Sequence, residues 1–113
     1  SVSPEYTPLF DTSANATVTE TAAASRFAQT VTTISKLYVR TSAVLAGGSS
    51  ATYTLMKNGS AQTLTCTVAA AAQDCSDVAN SFAVTANDLL SMRLTYTGAP
   101  GTPRSMWSML VTP

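Results

Sequence analysis

The sequence predicts an all-β protein, an antiparallel β-sandwich, on three observations. Apolar and polar residues alternate with a period of two over most of the chain beyond residue 29. No segment reads as a long helix, and an Asn-Gly dipeptide separates two of the alternating runs. A chain of 113 residues is long enough for one core and too short for two.

Each element follows from its pattern. Residues 29–41, QTVTTISKLYVRT, are rich in β-branched side chains and read as a strand. Val31, Leu37 and Val39 fall on one face and Ile34, Tyr38 and Arg40 on the other, with a bend or bulge expected midway. In ATYTLMKNGSAQTLTCTV two strands flank Asn58-Gly59, since both central residues of a type I′ turn need positive φ. Tyr53 and Leu55 share a face before the turn. After it, Leu64, Cys66 and Val68 alternate with Thr63, Thr65 and Thr67, which should face solvent or a neighbouring chain.

SFAVTANDLLSMRLTYT reads as a second strand pair about a tight turn at Ala86-Asn87-Asp88, where Asn87 can take the left-handed conformation. Phe82, Val84, Leu90, Met92, Leu94 and Tyr96 are its inward set. TGAPGTPR is a loop, and SMWSMLVTP is the last strand, with Trp107, Met109 and Val111 alternating with Met106, Ser108 and Leu110. Both faces of that strand are apolar, so it is expected to be central or covered by a partner, and Met106, Trp107 and Leu110 are candidate interface residues.

Residues 1–28 form an N-terminal arm, extended at first, with a short β or helical turn in TETAAASRFAQ where β or irregular structure is favoured. Residues 29–113 form the sandwich. Tyr6, Leu9 and Phe10 have no obvious place in so small a core, so they are candidate anchors onto a partner subunit; the alternative is an arm packed back on its own barrel. Six to eight short strands with this spacing favour a jelly-roll-like sandwich. The rival is an immunoglobulin-like sandwich, which Cys66 and Cys75 weaken by lying too close in sequence for the usual bridge between sheets. Ser1 reads either as what removal of an initiator Met leaves or as a cut point.

Composition narrows the function. Charged residues make up 11% of the chain, with six basic and six acidic side chains and a formal net charge of zero. An average domain is about a quarter charged. Thr, Ser and Ala fill the difference, which fits either a soluble sandwich or a protein that ends in an assembly. Arg26, Lys36, Arg40, Lys57, Arg93 and Arg104 are scattered, so no nucleic-acid partner is expected. No apolar run reaches the roughly 18 to 20 residues that span a bilayer, so no membrane role is expected either.

The chain has no histidine, which removes the commonest general base and metal ligand, and the expectation is a non-enzyme without a cofactor. A Ser-Lys hydrolase would need Lys36 or Lys57, and Lys57 beside the Asn-Gly turn reads as a surface lysine. Asp74, Asp77 and Asn80 are too few for calcium and suit turn capping better. The glycosylation motifs at Asn15 and Asn58 carry no weight outside a eukaryotic secretory context. Cys66 and Cys75 lack both the ligands of a zinc site and the Cys-x-x-Cys spacing of a redox pair. Two readings stay open: a disulfide between adjacent antiparallel strands at the neck of the loop VAAAAQD, or two free thiols with Cys66 buried as a small hydrophobe.

ISKLYVRTS, YTLMKNG, LTCTV, CSDVANS and AVTANDLLSMRLT, followed by an aromatic last strand, resemble a module recurrent in bacterial and phage proteins. Its layout is similar to the tumour-necrosis-factor and complement C1q-like jelly rolls. The likeness spans roughly residues 34–112, with Asn87-Asp88 where that pattern has Gly-Asp. It implies binding or assembly, frequently as a trimer and otherwise as a dimer. A short chain with an arm and no fibrous stalk looks most like a phage capsid decoration, or cement, protein. Its partners would be the major capsid protein and copies of itself, and its location the capsid surface of a virion assembled in the bacterial cytoplasm. The alternative is a receptor- or carbohydrate-binding tip domain of a tail fibre or bacterial adhesin, with Tyr38, Tyr53, Tyr96 and Trp107 as the plausible sugar platforms.

Overall fold

The period-two segments become the strands of two antiparallel sheets packed face to face. The structure, a computed structural model, describes residues 4–9, 25–26, 31–101 and 104–113. The described strands are β1 (Glu5–Pro8), β2 (Ser25–Arg26), β3 (Val31–Thr41), β4 (Ser50–Lys57), β5 (Ser60–Val68), β6 (Asp74–Thr85), β7 (Leu89–Thr97) and β8 (Ser105–Thr112). One sheet runs β1-β7-β4-β5 with β2 also on β7, and the other runs β6-β3-β8. Among strands β3 to β8 only β4 and β5 form a hairpin; each of the other connections switches sheets, as in a jelly roll.

The inner faces hold the core. Ile34, Leu37 and Val39 from the three-stranded sheet meet Tyr53, Leu55, Leu64, Val68, Leu90, Met92 and Leu94 from the other. Burying one such side chain contributes about 1.5 to 3 kcal/mol. Among the described aromatics Tyr53 lies deepest, and burial pushes its phenol above the ordinary range although a hydrogen bond to Ser105 opposes this. That bond, 2.6 Å between the Tyr53 and Ser105 hydroxyls, ties β4 of one sheet to β8 of the other.

The outer face of the larger sheet is hydroxyl-rich. Thr63, Thr65 and Thr67 are exposed as the alternation predicts, and cross-strand hydroxyl pairs join Thr52 to Thr67 at 2.8 Å and Thr54 to Thr65 at 2.9 Å. Such pairs satisfy one another and stabilise the ladder by a few tenths of a kcal/mol up to about 1.

Five expectations change. Residues 82–96 are not a hairpin: β6 pairs with β3 and β7 with β4, so the Ala86-Asn87-Asp88 turn is a corner between sheets. Asn87 does take positive φ there, at 71°. Ile34 points inward with Leu37, because the register with β6 shifts at Lys36, whose φ is 54°. An extra residue in a bulge reverses the in-out phase of everything after it. Third, β8 is an edge strand rather than a central one, pairing among the described residues with β3 alone.

The fourth concerns the arm. Glu5–Pro8 adds to β7 as a strand, and Leu9 is 4% exposed within the chain's own core, so it is not free to anchor on a partner. Tyr6 is half-buried on the same strand, opposite Arg93. Phe10 lies outside the described residues.

The loop strapped by the cysteines also differs in placement. Cys66 and Cys75 form a disulfide, with Cα atoms 5.7 Å apart. Since β5 and β6 belong to different sheets, the bridge closes one side of the sandwich and is not a rung between neighbours in one sheet.

Candidate functional site

The bulge at Lys36 decides which side chains of β3 reach the surface. Beyond it Leu37, Val39 and Thr41 are buried, while Tyr38 and Arg40 point out from the three-stranded sheet. Tyr38 stands between Ser76 of β6 and Ser108 of β8, and Arg40 between Asp74 and Met106. Along β8 the alternation is unbroken: Met106, Ser108 and Leu110 are exposed, and Trp107, Met109 and Val111 turn toward the core.

The large exposed hydrophobic side chains among the described residues are Tyr38, Val44, Val78, Met106 and Leu110. All but Val44, which lies in the loop after β3, belong to this one face. Their exposures run from 46% for Leu110 to 58% for Val78. Scattered exposed hydrophobes need no explanation, whereas a group on one face marks a surface that another body covers. The other sheet presents threonines at the corresponding positions.

A shallow groove of about 500 Å3 crosses the face, lined by Tyr38, Arg40, Asp74, Ser76, Met106 and Ser108 among others. The Arg40 Nη1 donates to both Asp74 carboxylate oxygens, at 2.9 and 3.0 Å. Both side chains are more than half exposed, so the pair orients the two groups and contributes at most about 1 kcal/mol. Net charge at the groove is therefore zero, matching the chain as a whole.

Beneath the face, polar contacts fix its strands. The Trp107 ring lies 6.4 Å from that of Tyr53 at a 55° tilt, and its Nε1 donates to the Leu9 carbonyl at 3.1 Å. Asp77 points in from β6, accepting from the backbone amides of Thr65, Ala79 and Asn80 and from the Asn80 side chain. Burial pushes its carboxyl up, but those four bonds outweigh it and hold the carboxyl below the ordinary aspartate range. They also shape the outward bulge at residues 78–80, which places Val78 on the outer face.

The candidate residues thus divide. Met106 and Leu110 join Tyr38 on the exposed face, while the Trp107 ring serves the interior. Tyr53 is fully buried and Tyr96 half-buried, its phenol raised by burial and by the charge of Glu5, which accepts its hydroxyl proton at 3.1 Å. Tyr38 is the sugar platform that remains open to solvent with its ring. Asp74 and Asp77 point to opposite faces of β6 and do not converge. Lys57 donates to the Ala83 carbonyl at 2.9 Å. Val78 and the Arg40–Asp74 pair were not foreseen: nothing local in the sequence distinguishes an outward Val at a bulge, and the pair joins residues 34 apart.

Comparison with family models, with curated proteins and with solved structures returned no match. The fold and the site therefore define the class directly: an antiparallel β-sandwich with one hydroxyl-rich outer face and one apolar one.

Proposed function

We propose that this chain is a structural protein of a phage virion, a decoration protein that seats the outer face of its three-stranded sheet on the outside of the capsid. The observation that carries the reading is the gathering of Tyr38, Val78, Met106 and Leu110 on that face. The module resemblance supplies the setting. Mechanistically the protein acts by burial. Covering apolar surface is favourable by about 25 cal/mol per Å2, and a body seated across two capsomers must be peeled away before they part. The neutral groove imposes no charge penalty on docking to a surface of either sign.

A second reading has its own support. Tyr38, half exposed beside the Arg40–Asp74 pair and Ser76, offers a ring face next to hydrogen-bonding groups, the combination that sugar sites use. Co-sedimentation with phage heads and, separately, with bacterial envelopes distinguishes the two. Binding to heads and not to envelopes is the expected result; binding to envelopes with competition by glycans replaces decoration with the tip-domain reading.

A further inference from the structure

We propose that the chain forms a two-fold dimer by pairing β8 with β8 of a second copy, antiparallel and centred on Ser108. Among the described residues five strands lie at sheet edges: β1, β5, β6, β8 and β2, which is only two residues long. Natural edges carry features that block strand addition, such as shortness, proline, charge, bulges or cover. β1 has four residues and ends in Pro8. β5 is covered by β6: its Thr65 amide donates to Asp77 at 3.2 Å and its Cys66 is bridged to Cys75. β6 carries Asp74, Asp77 and the irregular stretch 78–80.

Among the described residues β8 has none of these. Over eight residues, SMWSMLVT, it holds no charge, no proline and no glycine, and its in-out alternation is uninterrupted. The register shift it shares with β3 lies between Ser35 and Tyr38, on the β3 side. A regular, uncharged edge of this length is a template for another strand.

The sequence of β8 names the occupant, because its outer face is self-complementary, most extensively in the register centred on Ser108, which overlaps seven residues against five for a register centred on Leu110. Centred on Ser108, Met106 faces the second copy's Leu110, Trp107 faces its Met109 and Ser105 its Val111. The outer face then carries two Met-Leu pairs about a small central Ser-Ser pair. Centring on Trp107 or on Met109 instead sets Met106 or Leu110 against Ser108, pairing a hydrophobe with a hydroxyl. Cross-strand apolar pairs favour the first register, and a one-residue slip is excluded because it would put inward residues opposite outward ones. A two-fold interface needs this kind of self-complementarity. The product is a six-stranded sheet whose outer face doubles the apolar surface, and its formation does not depend on what that surface later meets.

Sedimentation equilibrium of the full chain over a concentration series, with cysteine trapping, tests the pairing. The expected mass is that of two chains, and Met106→Lys with Leu110→Lys should weaken association at least about tenfold, since each substitution acts twice across the axis. In the proposed register the two Ser108 Cα atoms are about 4.5 to 5.5 Å apart, within disulfide reach. Two Met106 residues are four positions out of register, about 13 Å apart. Ser108→Cys should therefore yield a covalent dimer under mild oxidation and Met106→Cys should not. A monomer at every concentration, an assembly of another number, or a dimer that cross-links at 106 or fails to at 108 overturns the proposal.

Discussion

The indole of Trp107 and the carbonyl of Leu9 are joined by a hydrogen bond of 3.1 Å, across 98 residues of chain. Through it β8, in the three-stranded sheet, holds the segment that leaves β1 in the other. Leu9 is buried beside it. Of the two readings of the arm in sequence, on a partner subunit or back on its own barrel, the second holds as far as residue 9. Replacing Trp107 by Phe removes the donor and keeps much of the ring. We expect a loss of about 1 kcal/mol of stability and faster hydrogen exchange at the β1 amides than at the β4–β5 hairpin, measured by mass spectrometry.

The disulfide closes a short segment, with Cys66 and Cys75 nine positions apart. Restricting a loop of that size in the unfolded chain stabilises the fold by about 2 to 3 kcal/mol. Reductant should lower the denaturant midpoint accordingly without abolishing cooperative unfolding, because the core on either side is intact. A reduced chain that loses its near-ultraviolet circular dichroism would mean that the bridge holds the two sheets together by itself.

Asp77 links β5 to the bulge of β6 through four accepted hydrogen bonds. Its folded carboxyl titrates below the unfolded value, so its contribution is present above about pH 4 and is lost as pH falls through the folded value. Asp77→Ala should cost about 2 to 3 kcal/mol near neutrality. The gap between wild type and variant should narrow in acid, as read from urea melts at a series of pH values. A gap that stays constant down to acid would show that the carboxylate charge is not what matters.

Asn58 joins the hairpin turn to the sheet-switching corner. Its side-chain oxygen accepts from the Leu89 amide and its nitrogen donates to Asp88, both at 2.9 Å. Its φ is 52°, a conformation that asparagine tolerates better than alanine. Asn58→Ala should cost about 2 to 3 kcal/mol from lost bonds and backbone strain together. Asn58→Gly relieves the strain alone and should cost less, a ranking that thermal melts check directly.

Local chemistry made much of the fold legible. The Asn58-Gly59 turn, the alternation of Leu64, Cys66 and Val68 with threonines, and the inward set Phe82 to Tyr96 each depend on neighbours a few residues away. Sheet membership did not follow, since the turn at residues 86–88 has the same residue types whether it closes a hairpin or turns a corner between sheets. Ile34 was misplaced for a related reason: alternation sets faces only up to a bulge, and the position of Lys36 in the bulge is fixed by pairing with β6. The apolar patch was half legible. Met106 and Leu110 could be read from β8, whereas Tyr38 and Val78 join them only when three strands are laid side by side.

The proposed function depends on which outer face meets a partner. The most direct measurement is co-sedimentation with phage heads for two surface variants: Tyr38→Lys at the centre of the apolar face, and Thr65→Lys on the hydroxyl face. Loss of the central apolar contact should weaken binding at least about tenfold, while Thr65→Lys leaves it unchanged. Undiminished binding by the apolar-face variant, or loss confined to Thr65→Lys, would contradict the account.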